Sequence, residues 1–186
     1  MKRAFDIISS TAAFILLFPV FLITAIVIKL DSPGPILFNQ RRPGLNNKIF
    51  HIYKFRSMRV DTPDVATDKL ESSSNYVTKS GKFIRKTSID ELPQLVNIIK
   101  GDMSVVGPRP ALYNQYELIE KRTARDIHKV RPGLTGYAQV MGRDDLDDDE
   151  KVKFDDYYVK NQSFWFDMKI IALTILKVFK SDGIKH

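Results

Sequence analysis

The sequence predicts a mixed α/β fold in which a compact domain follows a proline-broken apolar helix. A length of 186 residues suits one compact domain with a real core. Apolar residues dominate the first thirty positions, and short strand-like and helix-like segments follow them. We therefore expect two parts that form one functional unit, an N-terminal membrane helix at 1–30 and a domain at 31–186.

The N-terminal segment carries an apolar run, Ala12 to Ile28, in which Thr24 is the only polar residue. Such a run approaches the roughly 20 residues that cross a bilayer, and the missing small-x-small cleavage site argues against a secretory signal. Pro19 removes one backbone hydrogen bond, which predicts a bend. Lys2, Arg3 and the basic remainder of the chain favour the same side of the membrane. We expect a re-entrant helix, with a spanning helix as the alternative.

A β-hairpin is predicted after the turn at 32–35, with strands at 36–40 and 49–58. Period-two alternation in the second strand places Lys54 and Arg56 on one face near its end. Two cations there suit a bound phosphate, and they equally suit a solvated strand end.

Two adjacent carboxylates, Asp90 and Glu91, lie where a helix is predicted to begin. Ser88 and Glu91 match a capping box. Pro93 instead favours Asp90 as the N-cap, because the third helical residue needs no N–H donor. The helix is then expected at about 91–100, and Asp90 would lie at its positive end, which stabilises a carboxylate and attracts a phosphate. Structural capping and a nucleophilic carboxylate both stay open from this segment alone. The predicted apolar stripe is Leu92, Leu95, Val96 and Ile99.

Basic side chains surround the carboxylate pair in the sequence. Arg85 precedes it, and Arg109 follows between two prolines that fix the backbone around it. A further basic loop at 128–143 carries Arg131 and Arg143 among glycines that permit close backbone approach. This many cations around an aspartate-glutamate pair indicate a phosphoryl-transfer site.

Composition limits the possible chemistry. Lysine and arginine number 29 against 22 acidic residues, a net charge of +7, which predicts an anionic partner. The chain has no cysteine, and its three histidines are too far apart for a local motif. A nucleic-acid-binding protein would explain the charge but not the apolar N-terminus, and no motif of that class is present. A membrane-anchored basic scaffold would leave the arginines around Asp90 unexplained.

Three further segments carry weaker signals. Residues 61–80 are polar without clear periodicity and predict a mobile loop. Asp145 and Asp147 form an aspartate-x-aspartate motif, which raises the alternative of a metal-dependent glycosyltransferase. Acids clustered in the first turn of a helix explain this motif structurally, and we favour that interpretation. Residues 164–180 predict an amphipathic helix, either in the core or lying on a membrane surface.

With these motifs in place, the chain resembles, along almost its whole length, the bacterial sugar transferases that are monotopic phosphoglycosyl transferases. The similarity is greatest to the small members of capsular polysaccharide synthesis. Five segments match in the family's order and spacing: MKRAFDIISS with the broken helix, FNQRRPG, FHIYKFRSM, RKTSIDELPQLVNIIKGDMSVVGPRP and RPGLTGYAQVMGR. At the kink, Phe18 precedes Pro19 where some members have serine, which bears on helix geometry rather than chemistry.

The resemblance implies transfer of sugar-1-phosphate from a UDP-sugar to undecaprenyl phosphate, with release of UMP, at the cytoplasmic face of the bacterial inner membrane. Asp90 would attack the β-phosphorus, and Glu91 would act as metal partner or as base. Mg²⁺ is expected at Asp90 and Glu91. The other implied substrate-binding residues are Lys54, Arg56, Arg85, Arg109, Arg131, Gln139 and Arg143.

The resemblance also implies its partners. Membrane lipids are expected and nucleic acid is not. The sugar is expected to be an N-acetylated amino or deoxy sugar such as N-acetylfucosamine, although no single residue specifies it. A homo-oligomer is left open.

Overall fold

The computed structural model describes residues 1–63, 75–142 and 145–180, and it has the predicted mixed α/β architecture. The helices of the described part are α1 (Lys2–Leu16), α2 (Phe18–Asp31), α3 (Lys79–Lys86), α4 (Gln94–Lys100), α5 (Tyr116–Ala124), α6 (Tyr137–Met141), α7 (Asp148–Lys160) and α8 (Phe164–Lys180). The strands are β1 (Leu37–Pro43), β2 (Ile49–Phe55), β3 (Ser104–Val106) and β4 (Gly133–Thr135). β1 and β2 form an antiparallel pair, whereas β3 and β4 form a parallel pair.

The N-terminal helix is broken, as Pro19 predicts. Helices α1 and α2 meet at Leu17 with a bend of 60°. Pro19 is in the first turn of α2, where its missing N–H costs no intrahelical bond. Among the described helices none alone is long and apolar enough to cross a membrane, but α1 and α2 together have the required length and composition.

The fully buried side chains of helix α1 are polar, and several of its apolar side chains are exposed. Asp6 and Ser10 are its buried residues, while Ile8, Ile15 and Leu16 are each more than two-thirds exposed. The Asp6 carboxylate accepts hydrogen bonds from the Ser104 hydroxyl at 2.9 Å and the Val105 N–H at 3.0 Å. In a soluble amphipathic helix the buried side is apolar and the exposed side is polar, whereas α1 buries polar residues and exposes apolar ones. The exposed side of α1 therefore suits an apolar surrounding.

Both ends of the bent pair are attached to the same folded domain. At the N-terminal end, Arg3 donates to the carbonyls of Ile98 and Ile99 at the end of α4. At the other end, Asp31 accepts from the backbone N–H of Ser80 at 2.8 Å and from its hydroxyl at 2.7 Å. The bent pair therefore begins and ends in contact with the same folded domain.

The predicted hairpin is confirmed, with a shorter second strand. β1 and β2 pair from Leu37 opposite Phe55 to Pro43 opposite Ile49. The prediction that Lys54 and Arg56 project together is wrong. The ladder ends at Phe55, and the Arg56 guanidinium turns to the backbone carbonyls of residues 32 and 33. These contacts separate the two cations.

The helix after the carboxylate pair begins later than predicted. Residues Ile89–Glu91 form a 3₁₀ turn and α4 starts at Gln94, so Asp90 is not its N-cap. The predicted end is confirmed, since Gly101 has a φ of 101°. The predicted stripe is partly wrong, because Ile98 and Asn97 are fully buried with Leu95, whereas the other three stripe members are half-buried. Asn97 is buried because its side-chain amide bonds to the backbone of β2.

The predicted loop at 61–80 is only partly described, since residues 64–74 lie outside the described ranges. Its end is helical: Thr78 caps α3 by accepting the Gly81 N–H at 3.0 Å. The predicted loop therefore extends too far toward the carboxylate pair.

A second group of contacts joins the two ends of the chain. Tyr158 of α7 is fully buried and donates to the Val106 carbonyl or the Asp167 carboxylate. Asp167 also pairs with Lys2 at 2.6 Å. The buried carboxylate of Asp167 thus connects the first and last described helices.

Candidate active site

The carboxylates Asp90 and Glu91 are presented by an unusual backbone turn. Ser88, immediately before the 3₁₀ turn, has a φ of 55°, in the left-handed region that non-glycine residues rarely adopt. Such conformations persist where the surrounding structure holds them, and they cluster at functional sites. The turn thus gives the pair a fixed direction that a regular helix start would not provide.

Glu91 is held by two cations from different parts of the fold. Lys54 Nζ of β2 lies 2.9 Å from Glu91 Oε1, and Arg109 Nη2 lies 2.6 Å from the same oxygen. Arg109 Nη1 reaches the other oxygen at 3.4 Å. Burial alone would raise the pKa of Glu91, but Arg109 and Lys54 outweigh it and hold the pKa well below its ordinary value. Glu91 is therefore a permanent anion at neutral pH.

Asp90 has a different electrostatic environment. Burial raises the pKa of Asp90 to about 6, and the neighbouring Glu91 charge adds to this rise. Lys54, Arg85 and Arg109 oppose it by favouring the charged form. Asp90 is thus mostly ionised at neutral pH, but it is less stabilised than an ordinary surface carboxylate. A desolvated carboxylate near several cations suits a nucleophile that receives a phosphoryl group.

Arg109 is held rigidly, as its two flanking prolines predict. Every carbonyl of the turn 108–110 accepts a hydrogen bond: Pro108 from the Gly133 N–H at 2.9 Å, Arg109 from Arg122 at 2.8 Å, and Pro110 from Arg42 at 2.8 Å. The donors come from β4, α5 and β1. The Arg109 guanidinium is therefore directed at Glu91 by a fixed backbone.

Sequence reasoning missed the buried ion pair behind this turn. Arg122 of α5 bonds to Asp155 of α7 at 2.6 Å while it donates to the Arg109 carbonyl. Both side chains are almost fully buried. The two residues are 33 positions apart, so no local pattern reveals them.

The other predicted substrate-binding residues occupy several places. Arg85 of α3 lies near Asp90 and also contacts the Met58 sulfur at 3.4 Å. Arg56 is buried against the carbonyls of residues 32 and 33, and Arg131 donates to the Gly101 carbonyl at 2.9 Å. These two arginines thus bond to residues other than the two carboxylates, and Arg56 also donates to the Ser32 hydroxyl at 3.0 Å. Gln139 lines a cavity beside Glu91, and Arg143 lies outside the described residues.

The carboxylate pair fits the way in which Mg²⁺ is usually bound. Within the described ranges, no group of three or more histidine, aspartate or glutamate side chains could enclose a metal. Mg²⁺ is commonly held by one or two carboxylates together with substrate phosphates rather than by an all-protein cage. Asp90 and Glu91 meet this requirement, because they are adjacent carboxylates and Asp90 has no close ion pair among the described contacts.

The aspartate-x-aspartate motif serves the start of α7. Asp147 Oδ1 accepts the Glu150 N–H at 2.7 Å, and the Glu150 side chain accepts the Asp147 N–H at 3.1 Å. This reciprocal capping box supports the structural interpretation that the sequence favours.

A mostly apolar cavity of about 270 Å³ adjoins Glu91. It lies between the carboxylate pair, the β3–β4 region and α8. Its polar lining includes the hydroxyls of Thr135 and Thr174, which bond to each other at 2.7 Å. The site therefore combines a strongly charged centre with an apolar chamber directly beside it.

The chain is similar to bacterial sugar transferases over nearly its whole length. The family profile described as bacterial sugar transferase matches residues 1–181. An uncharacterised sugar transferase of Bacillus subtilis is 44% identical over 100% of this chain and 91% of its own length. The UDP-glucose:undecaprenyl-phosphate glucose-1-phosphate transferase of Escherichia coli is 45% identical over 96% of this chain.

Several relatives are much longer than this chain. The Escherichia coli protein is matched over 40% of its own length. The UDP-N-acetylgalactosamine-undecaprenyl-phosphate N-acetylgalactosaminephosphotransferase of Aeromonas hydrophila is 40% identical over 100% of this chain, which covers 45% of that relative. The aligned part of each relative includes the segment that here carries Asp90 and Glu91.

Proposed function

Because the chain belongs to the bacterial sugar transferase family, we propose that it transfers sugar-1-phosphate from a UDP-sugar to undecaprenyl phosphate and releases UMP. The substrates are those in the names of two relatives. One observation of this chain carries the proposal: a desolvated Asp90, with a pKa of about 6, lies among Lys54, Arg85 and Arg109. This arrangement suits attack on a phosphorus that bears negative charge.

In the first step, an oxygen of ionised Asp90 attacks the sugar-bearing phosphorus of the donor. A new bond forms between Asp90 and that phosphorus, and the bond to the UMP oxygen breaks, so UMP leaves with the electron pair. Arg109 and Lys54 offset the charge that the phosphoryl oxygens carry during transfer. The product of this step is a phosphosugar covalently bound to Asp90.

In the second step, a phosphate oxygen of the lipid attacks the same phosphorus. The bond to Asp90 breaks, and the lipid leaves as a diphosphate-linked sugar while the aspartate is regenerated. Glu91 is a poor base for this attack, because an effective base has a pKa near the working pH and that of Glu91 lies well below it. We assign Glu91 the task of orienting Lys54 and Arg109.

The pair Asp90 and Glu91 would hold Mg²⁺ together with the donor phosphates. When bound, the ion would neutralise phosphate charge and make UMP a better leaving group. The protein groups contribute orientation: Glu91 fixes both of its cations, and the rigid turn at 108–110 keeps Arg109 in place.

We place the site at a membrane surface, with the bent pair as a re-entrant element. A helix that crossed the bilayer would separate its ends by about 30 Å of hydrocarbon. Here Arg3 at one end and Asp31 at the other both bond to the catalytic domain. In this arrangement a soluble donor and a lipid acceptor meet at one interface, which we take to be the cytoplasmic one.

The sugar is the least constrained part of the proposal. The relatives are named as transferases of glucose-1-phosphate, of N-acetylgalactosamine phosphate and of galactose. An N-acetylated amino or deoxy sugar such as N-acetylfucosamine stays our prediction, and a donor panel decides it.

The experiment uses purified protein in detergent with Mg²⁺, a panel of UDP-sugars, and undecaprenyl phosphate present or absent. We expect lipid-dependent UMP release and, without lipid, a phosphosugar mass adduct on the wild type that is lost in Asp90→Asn. Asp145→Asn is the matched control and should keep both signals. Release of UDP instead of UMP would contradict the proposal and favour a glycosyltransferase, as would selective loss of activity in the control.

A further inference from the structure

The cavity beside Glu91 has a composition unlike the charged centre next to it. Its apolar lining comes from the 3₁₀ turn region, β3, β4, α6 and α8. The residues are Leu92, Val105, Leu134, Val140, Ile171 and Ile175. A site for nucleotide phosphates would present cations and N–H donors here, whereas this lining presents mainly methyl and methylene groups.

The cavity connects the carboxylate pair to an exposed apolar helix. Ser88 and Glu91 line one part of it, and Ile175 and Lys177 of α8 line another. Ile175 is 51% exposed, so the cavity reaches the surface of α8. Helix α8 also exposes Phe164 and Trp165 at its start, where Phe164 packs on Phe5 of α1 with ring centroids 5.8 Å apart. The mouth is therefore on a helix that is joined to the bent membrane pair.

We propose that this cavity binds the phosphate-proximal part of the isoprenoid chain of the acceptor lipid. The inference rests on the proposed function, and it adds a separate binding site to it. The occupant needs a phosphate at the carboxylate centre and an apolar continuation that leads toward the membrane. A polyprenyl phosphate has both features in one molecule.

The size of the cavity agrees with this occupant. An engineered apolar cavity of about 150 Å³ in another protein binds benzene. A volume of about 270 Å³ therefore holds the first part of a branched isoprenoid chain, while the rest extends past Ile175. Burial of the apolar chain would supply the attraction, at roughly 25 cal/mol per Å² of apolar surface removed from water.

The uracil base of the donor is the alternative occupant. Binding of a base normally uses several convergent polar groups. Here the Thr135 and Thr174 hydroxyls pair with each other. The Gln139 side-chain oxygen is buried and has no hydrogen-bond partner among the described residues. The other polar lining residues are Ser88, Glu91 and Lys177, and the remaining wall is apolar. This mostly apolar wall favours the lipid chain over the base.

The test compares two neighbouring exposed positions on α8. Ile175→Trp places a larger ring at the cavity mouth. Leu176→Trp makes the same change at a residue that is 57% exposed and does not line the cavity. The probes are undecaprenyl phosphate for the full reaction and the preferred UDP-sugar alone for the first step, read as UMP released in a single turnover. Ile175→Ala is a second variant that adds no bulk.

We expect Ile175→Trp to raise the KM for undecaprenyl phosphate about tenfold or more, with single-turnover UMP release unchanged. Ile175→Ala should raise the same KM by about twofold to fivefold, and Leu176→Trp should leave it unchanged. Loss of the first step in both Ile175 variants would assign the cavity to the donor. An unchanged acceptor KM in both would overturn the inference. Failure of the proposed function is a different result, because the wild type would then release no UMP with any donor.

Discussion

At the scale of single residues, Asp90 and Glu91 show how two adjacent carboxylates acquire different properties. The sequence singled out both residues, and their neighbouring cations as a group. It did not predict that Glu91 would take the close ion pairs, because Lys54 and Arg109 reach it from 37 and 18 positions away. The burial that raises the pKa of Asp90 is likewise a property of the folded chain.

The raised pKa of Asp90 predicts a pH profile. Since only ionised Asp90 attacks phosphorus, kcat/KM for the donor should rise with pH through about 6 and then level off. Lys54 is the strongest of the cations that favour the ionised form. Lys54→Met should therefore move this rise to higher pH, in addition to any loss of rate. UMP release at low donor concentration across pH 5 to 8 measures both effects.

A matched control is Lys160→Met, which removes an exposed lysine whose partner is Asp156. Its profile should coincide with that of the wild type. A Lys54→Met profile that stays in place or moves to lower pH would contradict the electrostatic account of Asp90.

The same pKa predicts a gain in stability when Asp90 is neutralised. Asp90 has an ordinary pKa of 3.8 and a folded-state pKa of about 6. Protonation of Asp90 therefore stabilises the folded state, and this contribution to the unfolding free energy is fully present below pH 3.8 and is lost as pH rises through 6. The shift corresponds to roughly 3 kcal/mol at most. Asp90→Asn should therefore unfold at a higher temperature than the wild type at pH 7.5, with the difference shrinking toward pH 4. Thermal unfolding in detergent measures it.

Asp61→Asn is the control for this prediction, because the pKa of Asp61 is shifted in the opposite direction. Asp61 is exposed, and its hydrogen bond with Arg59 lowers its pKa. This variant should bring no gain in unfolding temperature at pH 7.5. If Asp90→Asn were equally neutral or destabilising at that pH, the desolvation of Asp90 would be in doubt.

At the scale of elements, the site depends on short segments held by distant ones. The stiffness of the turn 108–110 was predictable from its two prolines, because proline fixes its own φ. The donors to its carbonyls, Arg42 and Arg122, were not predictable, since they come from β1 and α5. The prediction for Arg56 was wrong because the alternation of strand side chains was assumed to continue through residue 58, whereas the β1–β2 pairing ends at Phe55.

The buried pair Arg122–Asp155 supports this turn and predicts a separation of stability from activity. Arg122→Met leaves Asp155 buried without its closest cation, which should cost about 3–5 kcal/mol of unfolding free energy. Arg122→Met with Asp155→Leu should recover much of that loss, because a packed apolar pair replaces the ion pair. The double variant should still have a lower kcat, since the Arg109 carbonyl has lost its donor.

Chemical unfolding and steady-state kinetics on the same samples separate the two effects. Arg122→Lys serves as the conservative comparison, which keeps a cation and should retain more activity than either methionine variant. Full activity in the stable double variant would mean that the pair serves folding alone.

At the scale of the whole molecule, the bend at Leu17 and the hairpin were predictable from local signals, Pro19 and the alternation of strand residues. The attachment of α1 was not. Asp6 lies before the apolar run, and its partners Ser104 and Val105 are almost one hundred positions away. Long-range pairing of this kind is set by the tertiary fold rather than by local sequence.

The attachment of both ends of the bent pair predicts a same-side topology. The chain lacks cysteine, so single cysteines introduced at the exposed positions Ala4 and Lys48 can be labelled without background. In right-side-out membrane vesicles, neither position should react with an impermeant thiol reagent until the membrane is opened. Labelling of one position alone in sealed vesicles would show a spanning helix. A cysteine in a protein of known topology controls for sealing.

The buried Asp6 also has a consequence for the order of synthesis. A ribosome makes α1 before β3, so the groups that satisfy Asp6 follow only when residues 104 and 105 have been made. In the interval the Asp6 carboxylate of the nascent helix has no hydrogen-bond partners. An unpaired carboxylate is costly inside hydrocarbon. Its N-terminal turn must therefore stay in contact with water while its apolar end associates with lipid. The docking of α1 through Asp6 therefore has to follow the synthesis of β3.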